Sequence, residues 1–153
     1  MADRHLAVDA GCGNGRNSEW LKSLGYEVLS LDIDSEYGEK YDLSSGVLPV
    51  VKADVVLLQF VLMFLPLNAR EALVREAFKK TSGIVVVELY QAKTGFMSKD
   101  EISEFCRWIE REAGEAGFGL VAREGSKMAF LFAKPKPKGA RNEKSVQGSG
   151  RKG

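Results

Sequence analysis

Near the amino terminus, Gly11, Cys12, Gly13, Asn14 and Gly15 place three glycines in five residues. A short apolar segment, Leu6 to Val8, and an acid, Asp9, lead into them, and a helix-compatible stretch, Asn17 to Leu24, follows. A strand, a tight glycine turn and a helix start let backbone N–H groups approach a ligand without interference from Cβ atoms. Further on, Glu27 to Asp32 reads as a second apolar strand that ends in an acid. An acid about twenty residues beyond a glycine turn, at the tip of the neighbouring strand, is placed to accept from both hydroxyls of a ribose. The two features point to a nucleoside-containing cofactor.

Spacing separates the kinds of cofactor. Dinucleotide folds use G-x-G-x-x-G, whose third glycine allows close helix–strand packing under a pyrophosphate. Here the glycines fall at 11, 13 and 15, and Arg16 stands where that third glycine would be. A carboxylate at Asp9 would repel a pyrophosphate and suits a ligand carrying ammonium and sulfonium charges. The run Val8 to Gly15 resembles the first motif of class I S-adenosylmethionine-dependent methyltransferases. Gly11 to Ser18, Leu21, Gly25 to Val28, Asp32 and Val61 to Leu65 resemble the tellurite-resistance-type branch of that superfamily.

The resemblance implies S-adenosyl-L-methionine as cofactor. It implies an α/β, Rossmann-like three-layer sandwich with a mostly parallel sheet in the order 3-2-1-4-5-7-6 and a terminal antiparallel hairpin. Carried onto this chain, Gly11, Cys12, Gly13, Gly15 and Asn17 would bring the turn against the methionine portion, with Asp9 orienting it and complementing the cation. Asp32 would hold the ribose, Asp34 being the alternative. Asp42, followed by Leu43, matches the third motif, an acid accepting from the adenine amino group beside an apolar residue that packs on the ring; its other reading is a solvated loop acid. Ile33 is either adenine wall or ordinary core. Gln59 and Phe60 end the fourth strand, where the transferable methyl lies in this superfamily.

Alternating strands and helices independently indicate an α/β sheet. The pattern predicts strands over 5–10, 27–32, 39–43, 53–60, 83–90, 118–125 and 127–134, and helices over 17–24, 68–81 and 99–116. Strand 53–60 is apolar nearly throughout, as a centrally covered strand requires. Helix 68–81 carries Ala69, Leu73 and Ala77 at fourfold spacing, and helix 99–116 a stripe of Ile102, Phe105, Cys106, Ile109 and Ala113 behind a Ser98/Glu101 capping box. The last two strands flank Gly125 and Ser126, hence an antiparallel pair. Between Asp34 and Tyr41 there is no space for a helix, and few residues precede the first strand, where relatives carry a lid helix.

No general base stands out. The (D/N)PP(Y/F) run of DNA amino-methyltransferases is absent after Gln59, and neither Cys12 nor Cys106 sits in the Pro-Cys loop that a cysteine nucleophile would occupy. No acid spacing demands a metal. Alignment of donor and acceptor supplies much of the rate in a methyl displacement. Gln59, Glu88 and Tyr90 are the polar groups best placed to orient an acceptor, and they read equally as solvated strand ends. Met63 and Phe64 are either core or pocket wall. The only histidine, His5, lies at the wrong end of its strand for chemistry.

With 153 residues and 44% apolar content the chain has room for one domain, 1–134, ahead of a basic, disordered tail, 135–153. No apolar run suits a membrane span, no signal segment is visible, and two cysteines make no disulfide framework, which together read as cytoplasmic. From Lys134 onward seven basic residues stand against Glu143, a charge of +6; the whole chain is +1, so residues 1–133 carry −5. The tail is either a solubilising end or an arm for RNA phosphates. The leading function is a minimal methyltransferase acting on RNA or protein rather than a small molecule, since no lid encloses the site, with a partner subunit possible as its completion. The alternative is a non-catalytic S-adenosylmethionine-binding subunit.

Overall fold

The computed structural model describes residues 5–91, 97–124 and 128–135. Its elements run β1 (Leu6–Ala10), α1 (Arg16–Ser23), β2 (Glu27–Asp32), β3 (Glu39–Lys40), β4 (Ala53–Gln59), α2 (Leu67–Lys80), β5 (Thr81–Glu88), α3 (Lys99–Glu115), β6 (Gly119–Glu124) and β7 (Ala129–Ala133). They form a seven-stranded sheet in the order β3-β2-β1-β4-β5-β7-β6. The pairs from β3 through β5 are parallel, and β7 runs antiparallel to both β5 and β6. This is the Rossmann-like methyltransferase arrangement expected above. The Gly125–Ser126 turn and the tail beyond residue 135 lie outside the described residues.

The two sheet faces are covered unequally. On one, α2 and α3 bury a large core that includes Val8, Leu58, Leu73, Ile109 and Phe132. The expected stripes of both helices are buried, and α2 adds Val74 and Phe78. Ser98 and Glu101 form the capping box, with hydrogen bonds of 3.2 and 3.1 Å. On the other face α1 contributes Leu21 to a small cluster with Ala7, Val55 and Leu57.

Two elements differ from the sequence pattern, each for a local reason. The third strand is only Glu39–Lys40, because Asp42 accepts from the Ser44 N–H and hydroxyl and turns the chain into a one-turn 3-10 helix over Leu43–Ser45. Strand β5 begins at Thr81 rather than 83: the Thr81 hydroxyl donates to the Ala77 carbonyl, closing α2 and sending the chain straight into the sheet. It also ends at Glu88, so Tyr90 stands beyond the strand.

Register sets what meets at the carboxyl ends of the strands. Asp9 lies beside Ser30 on β2, and Gln59 lies beside Glu88 on β5. None of the described helices is long and apolar enough to cross a membrane.

Candidate functional site

A cleft of about 920 Å³ opens at the carboxyl ends of β1, β2 and β4, the crevice where open α/β sheets bind ligands. The glycine turn contributes Gly11, Cys12 and Gly13, and α1 contributes Asn17. The tip of β2 adds Asp32, Ile33 and Asp34; the 3-10 turn adds Asp42 and Leu43; and the tip of β4 adds Gln59 and Phe60.

The turn is tied to the β2 tip by one carboxylate. Asp32 accepts from the Gly13 N–H at 3.0 Å through one oxygen and from the Asp34 N–H at 2.9 Å through the other. A carboxylate offers roughly four acceptor positions, so about two remain for hydroxyls in the cleft. The N–H groups of Gly11 and Cys12 donate to the Leu31 carbonyl at 2.7 and 3.0 Å, which bends the turn back over β2. Gly13 has φ +53 and nothing within 4 Å of the place a Cβ would take, so its bare face opens onto free space. Cys12 is buried, and burial pushes its thiol up, which disfavours the thiolate.

Asp9 and Gly15 lie outside the cleft lining. Asp9 is only 2% exposed and accepts the Ser18 hydroxyl at 2.7 Å, while Ser18 also meets Ser30 Oγ at 2.6 Å. The acid therefore docks α1 onto β1 and β2 from behind the turn, instead of facing a cation in the cleft. Burial raises its pKa from the ordinary 3.8. Gly15, at φ +85, is needed for a different contact: a Cβ there would come within 2.4 Å of the Tyr37 ring. Tyr37 in turn is held by Lys22 Nζ at 3.0 Å and by Glu19. This clamp pins the helix-free segment after β2 against α1.

Tyr37 and Ser35, which donates to the Gly13 carbonyl, are site-building residues that sequence reasoning missed. Their only signal was the shortness of the segment between Asp34 and Tyr41, which obliges a few side chains to do a helix's work.

Asp42 is the N-cap of the 3-10 turn, and its hydrogen bonds from Ser44 hold its carboxyl below the usual range. Both bonds use Oδ1, and Oδ2 has no hydrogen-bond partner among the described residues. Ile33 is 52% exposed and Leu43 is buried, so an apolar ledge lies along this end of the cleft.

At the other end Asn17 Nδ2 donates to Gln59 Oε1 at 2.6 Å, and Gln59 Nε2 donates to the Glu88 carboxylate. Glu88 and Tyr90 stand outside the cleft lining, Tyr90 touching Phe60 and Phe64 edge-on. Met63 is buried core, whereas Phe64 lines the cleft. His5 is exposed at the far end of β1, 3.6 Å from Asp54. Among the described residues no group of three or more His, Cys, Asp or Glu could hold a metal ion.

The described residues fit a nucleoside cofactor: acceptor positions on Asp32 for a diol, a free oxygen on Asp42 for an amine donor, and an apolar ledge for a base. The methyltransferase-domain family matches residues 8–86 in sequence. Among curated proteins none matches the chain. Solved structures share the fold. Magnesium protoporphyrin IX methyltransferase from Synechocystis PCC 6803, with bound SAM, aligns with TM-score 0.64 and 20% identity over 86% of this chain and 71% of that one. A TehB-like SAM-dependent methyltransferase from Corynebacterium glutamicum aligns with TM-score 0.61 and 23% identity over 89% and 83%. TehB from Haemophilus influenzae gives 0.62 and 17% over 88% and 58%. The chain belongs to the methyltransferase-domain family.

Proposed function

We propose that the protein is an S-adenosyl-L-methionine-dependent methyltransferase. One observation carries the reading: Asp32 braces the glycine turn and still keeps acceptor positions turned to the cleft. In this reading Asp32 takes the ribose, Asp42 and Leu43 take the adenine with Ile33 against its other face, and the Gly11–Gly13 turn with Asn17 borders the methionine portion. Family membership and the SAM-bound state of the Synechocystis structure support it. When bound, the cofactor supplies an electrophilic methyl on a sulfonium. The chain's own residues align the acceptor, and alignment alone removes several kcal/mol (up to roughly 7–11) from such a barrier. The Asn17–Gln59–Glu88 chain fixes the orientation of Gln59, and Glu88 and Tyr90 stand near enough to steer an acceptor over Phe60.

A large acceptor, RNA or protein, is favoured over a small one, because the cleft, as the described residues line it, is open to solvent on one side. A partner subunit that closes this side belongs to the same proposal, as does a tail that reaches toward RNA phosphates from 135–153.

Calorimetry against S-adenosylhomocysteine and NAD tests the cofactor. Tighter binding of S-adenosylhomocysteine is expected, and tighter binding of NAD would overturn the reading. Transfer of labelled methyl to RNA or protein fractions then tests catalysis; cofactor binding without turnover on any acceptor would return the non-catalytic subunit.

A further inference from the structure

The charged side chains lining the cleft, among the described residues, are Asp32, Asp34 and Asp42, all at the β2 end. The opposite end is apolar and aromatic, built by Phe60, Val61, Phe64, Leu65 and Pro66. Three rings are exposed there together: Phe60 by 46%, Phe64 by 40% and Tyr90 by 45%. Tyr90 meets Phe60 at 5.4 Å and Phe64 at 6.4 Å between ring centres, both edge-on. Single exposed apolar residues need no explanation, but a contiguous aromatic cluster on the rim of a cleft marks a surface for a ligand.

Phe60 adds a second, independent observation. Its φ is +56, a left-handed conformation that residues with a Cβ rarely adopt. Its N–H is held by the Glu88 carbonyl at 3.0 Å, so β5 enforces the turn. Strained backbone of this kind persists where the surroundings over-determine it, and it clusters at ligand sites. The contact to β5 holds a phenylalanine at the end of β4 with its ring standing partly in solvent.

We propose that Phe60, Phe64 and Tyr90 form the acceptor platform, and that the acceptor presents a planar aromatic or heteroaromatic ring to it. The proposal rests on the methyltransferase reading and names the substrate class of the same cleft. Exposed rings meet a flat π-system by stacking or edge contacts. With only carboxylates among the charged lining residues described, the cleft disfavours a small oxyanion. Two sources share this chemistry: a free aromatic molecule, and an unpaired base of single-stranded RNA, which stacks on protein aromatics in the same manner.

The test uses the full chain saturated with S-adenosylhomocysteine, whose binding is first confirmed by calorimetry. A failure there removes the methyltransferase reading itself, whereas the steps below address the platform alone. Saturation-transfer NMR compares 2-naphthol with its saturated counterpart decahydro-2-naphthol. The flat ring is expected to bind at least tenfold tighter, and equal binding would overturn the platform. Phe64→Leu is expected to reduce 2-naphthol binding tenfold or more while S-adenosylhomocysteine affinity changes less than twofold; unchanged naphthol binding would overturn it.

Phe60→Gly relieves the left-handed strain, so its thermal midpoint is expected to stay level or rise as naphthol binding falls. A lowered midpoint would show that the ring serves packing, and would overturn the platform. A single-stranded RNA hexamer against an abasic hexamer of equal charge distinguishes the sources. Preference for the base-bearing strand, displaced by 2-naphthol, supports an RNA base; no preference, with 2-naphthol still bound, supports a free aromatic acceptor.

Discussion

At the β1–β2 end of the cleft, hydrogen bonds hold acids in fixed places; at the β4–β5 end, aromatic rings stand exposed around an amide–carboxylate chain. The first end is assembled from residues close in sequence. Asp32 is nineteen positions from Gly13 and two from Asp34, and Asp42 is two from Ser44. The second end exists only because β4 and β5 pair in register, bringing Gln59 to Glu88 across twenty-nine positions. A ligand common to a superfamily suits the pre-built end, and a ligand that varies between members suits the end that strand pairing and loops can remodel.

The largest effect is expected where the pre-built end is most tightly packed. Gly15→Val forces a β-branched residue into φ +85 and drives its Cβ to 2.4 Å from the Tyr37 ring. Backbone strain and overpacking together should cost about 2–6 kcal/mol of stability, read as a lowered denaturant midpoint. Adding Tyr37→Ala removes the clash and should recover part of the loss. An unchanged midpoint in the single variant would break the comparison, since this end would then be no more rigid than the other.

Asp32→Ala comes next. It removes the brace on Gly13 and Asp34 together with the acceptors offered to a diol, so S-adenosylhomocysteine affinity should fall by roughly 1–3 kcal/mol, the range for charge-assisted hydrogen bonds. The acid lies at a strand tip, so the fold should survive. If affinity holds in Asp32→Ala and collapses in Asp34→Ala, the diol is read by the other carboxylate.

A smaller effect concerns the acid behind the turn. Burial raises Asp9 above its ordinary value of 3.8, so between that pH and the raised value the folded chain keeps a proton that the unfolded chain has released. The unfolded state then binds fewer protons, and stability falls as pH rises through this window. Asp9→Asn keeps an acceptor for Ser18 and removes the titration. Its stability should therefore lack this downward slope above pH 3.8, as measured by urea unfolding at a series of pH values. Parallel profiles for the two proteins would show that Asp9 carries no ionisation cost.

Legibility in the sequence follows the same division. The sheet order was legible only through the resemblance to the methyltransferases, whereas the helix stripes and the Ser98 cap could be read from periodicity and spacing, because each depends on residues within one element or one turn. Gly13 and Asp32 were legible as cleft residues from the glycine turn and the acid about twenty residues beyond it, and Asp42 through the resemblance. Asp9 was not: its type and position suited a cation, but whether it faces the cleft or Ser18 depends on how α1 docks. Tyr37 was hidden as well, since its partners Gly15, Glu19 and Lys22 meet it only after the chain has folded back from β2. The aromatic group of Phe60, Phe64 and Tyr90 needs the β4–β5 register and the positive φ of Phe60, neither of which has a local sequence cue.

The smallest expected effect is on the tail. Deleting from Pro135 onward removes a segment rich in charge, glycine and proline, with Ala140 and Val146 as its only apolar side chains besides proline. Such a segment cannot offset its own ordering entropy by burial. Thermal midpoint and S-adenosylhomocysteine affinity should therefore stay within error of the full chain. RNA affinity separates the two readings of the tail. Residues 1–133 carry −5, which repels a polyanion, whereas the segment from Lys134 onward carries +6. If the acceptor is RNA, truncation should weaken binding and flatten its salt dependence. The slope should drop by roughly 0.7 of a log unit per log unit of salt for each single-strand phosphate that the tail had neutralised. If the full chain shows no measurable RNA affinity even at low salt, the tail is no RNA arm. A small-molecule or protein acceptor would then be the better reading, and the aromatic end of the cleft would have to find its ring there.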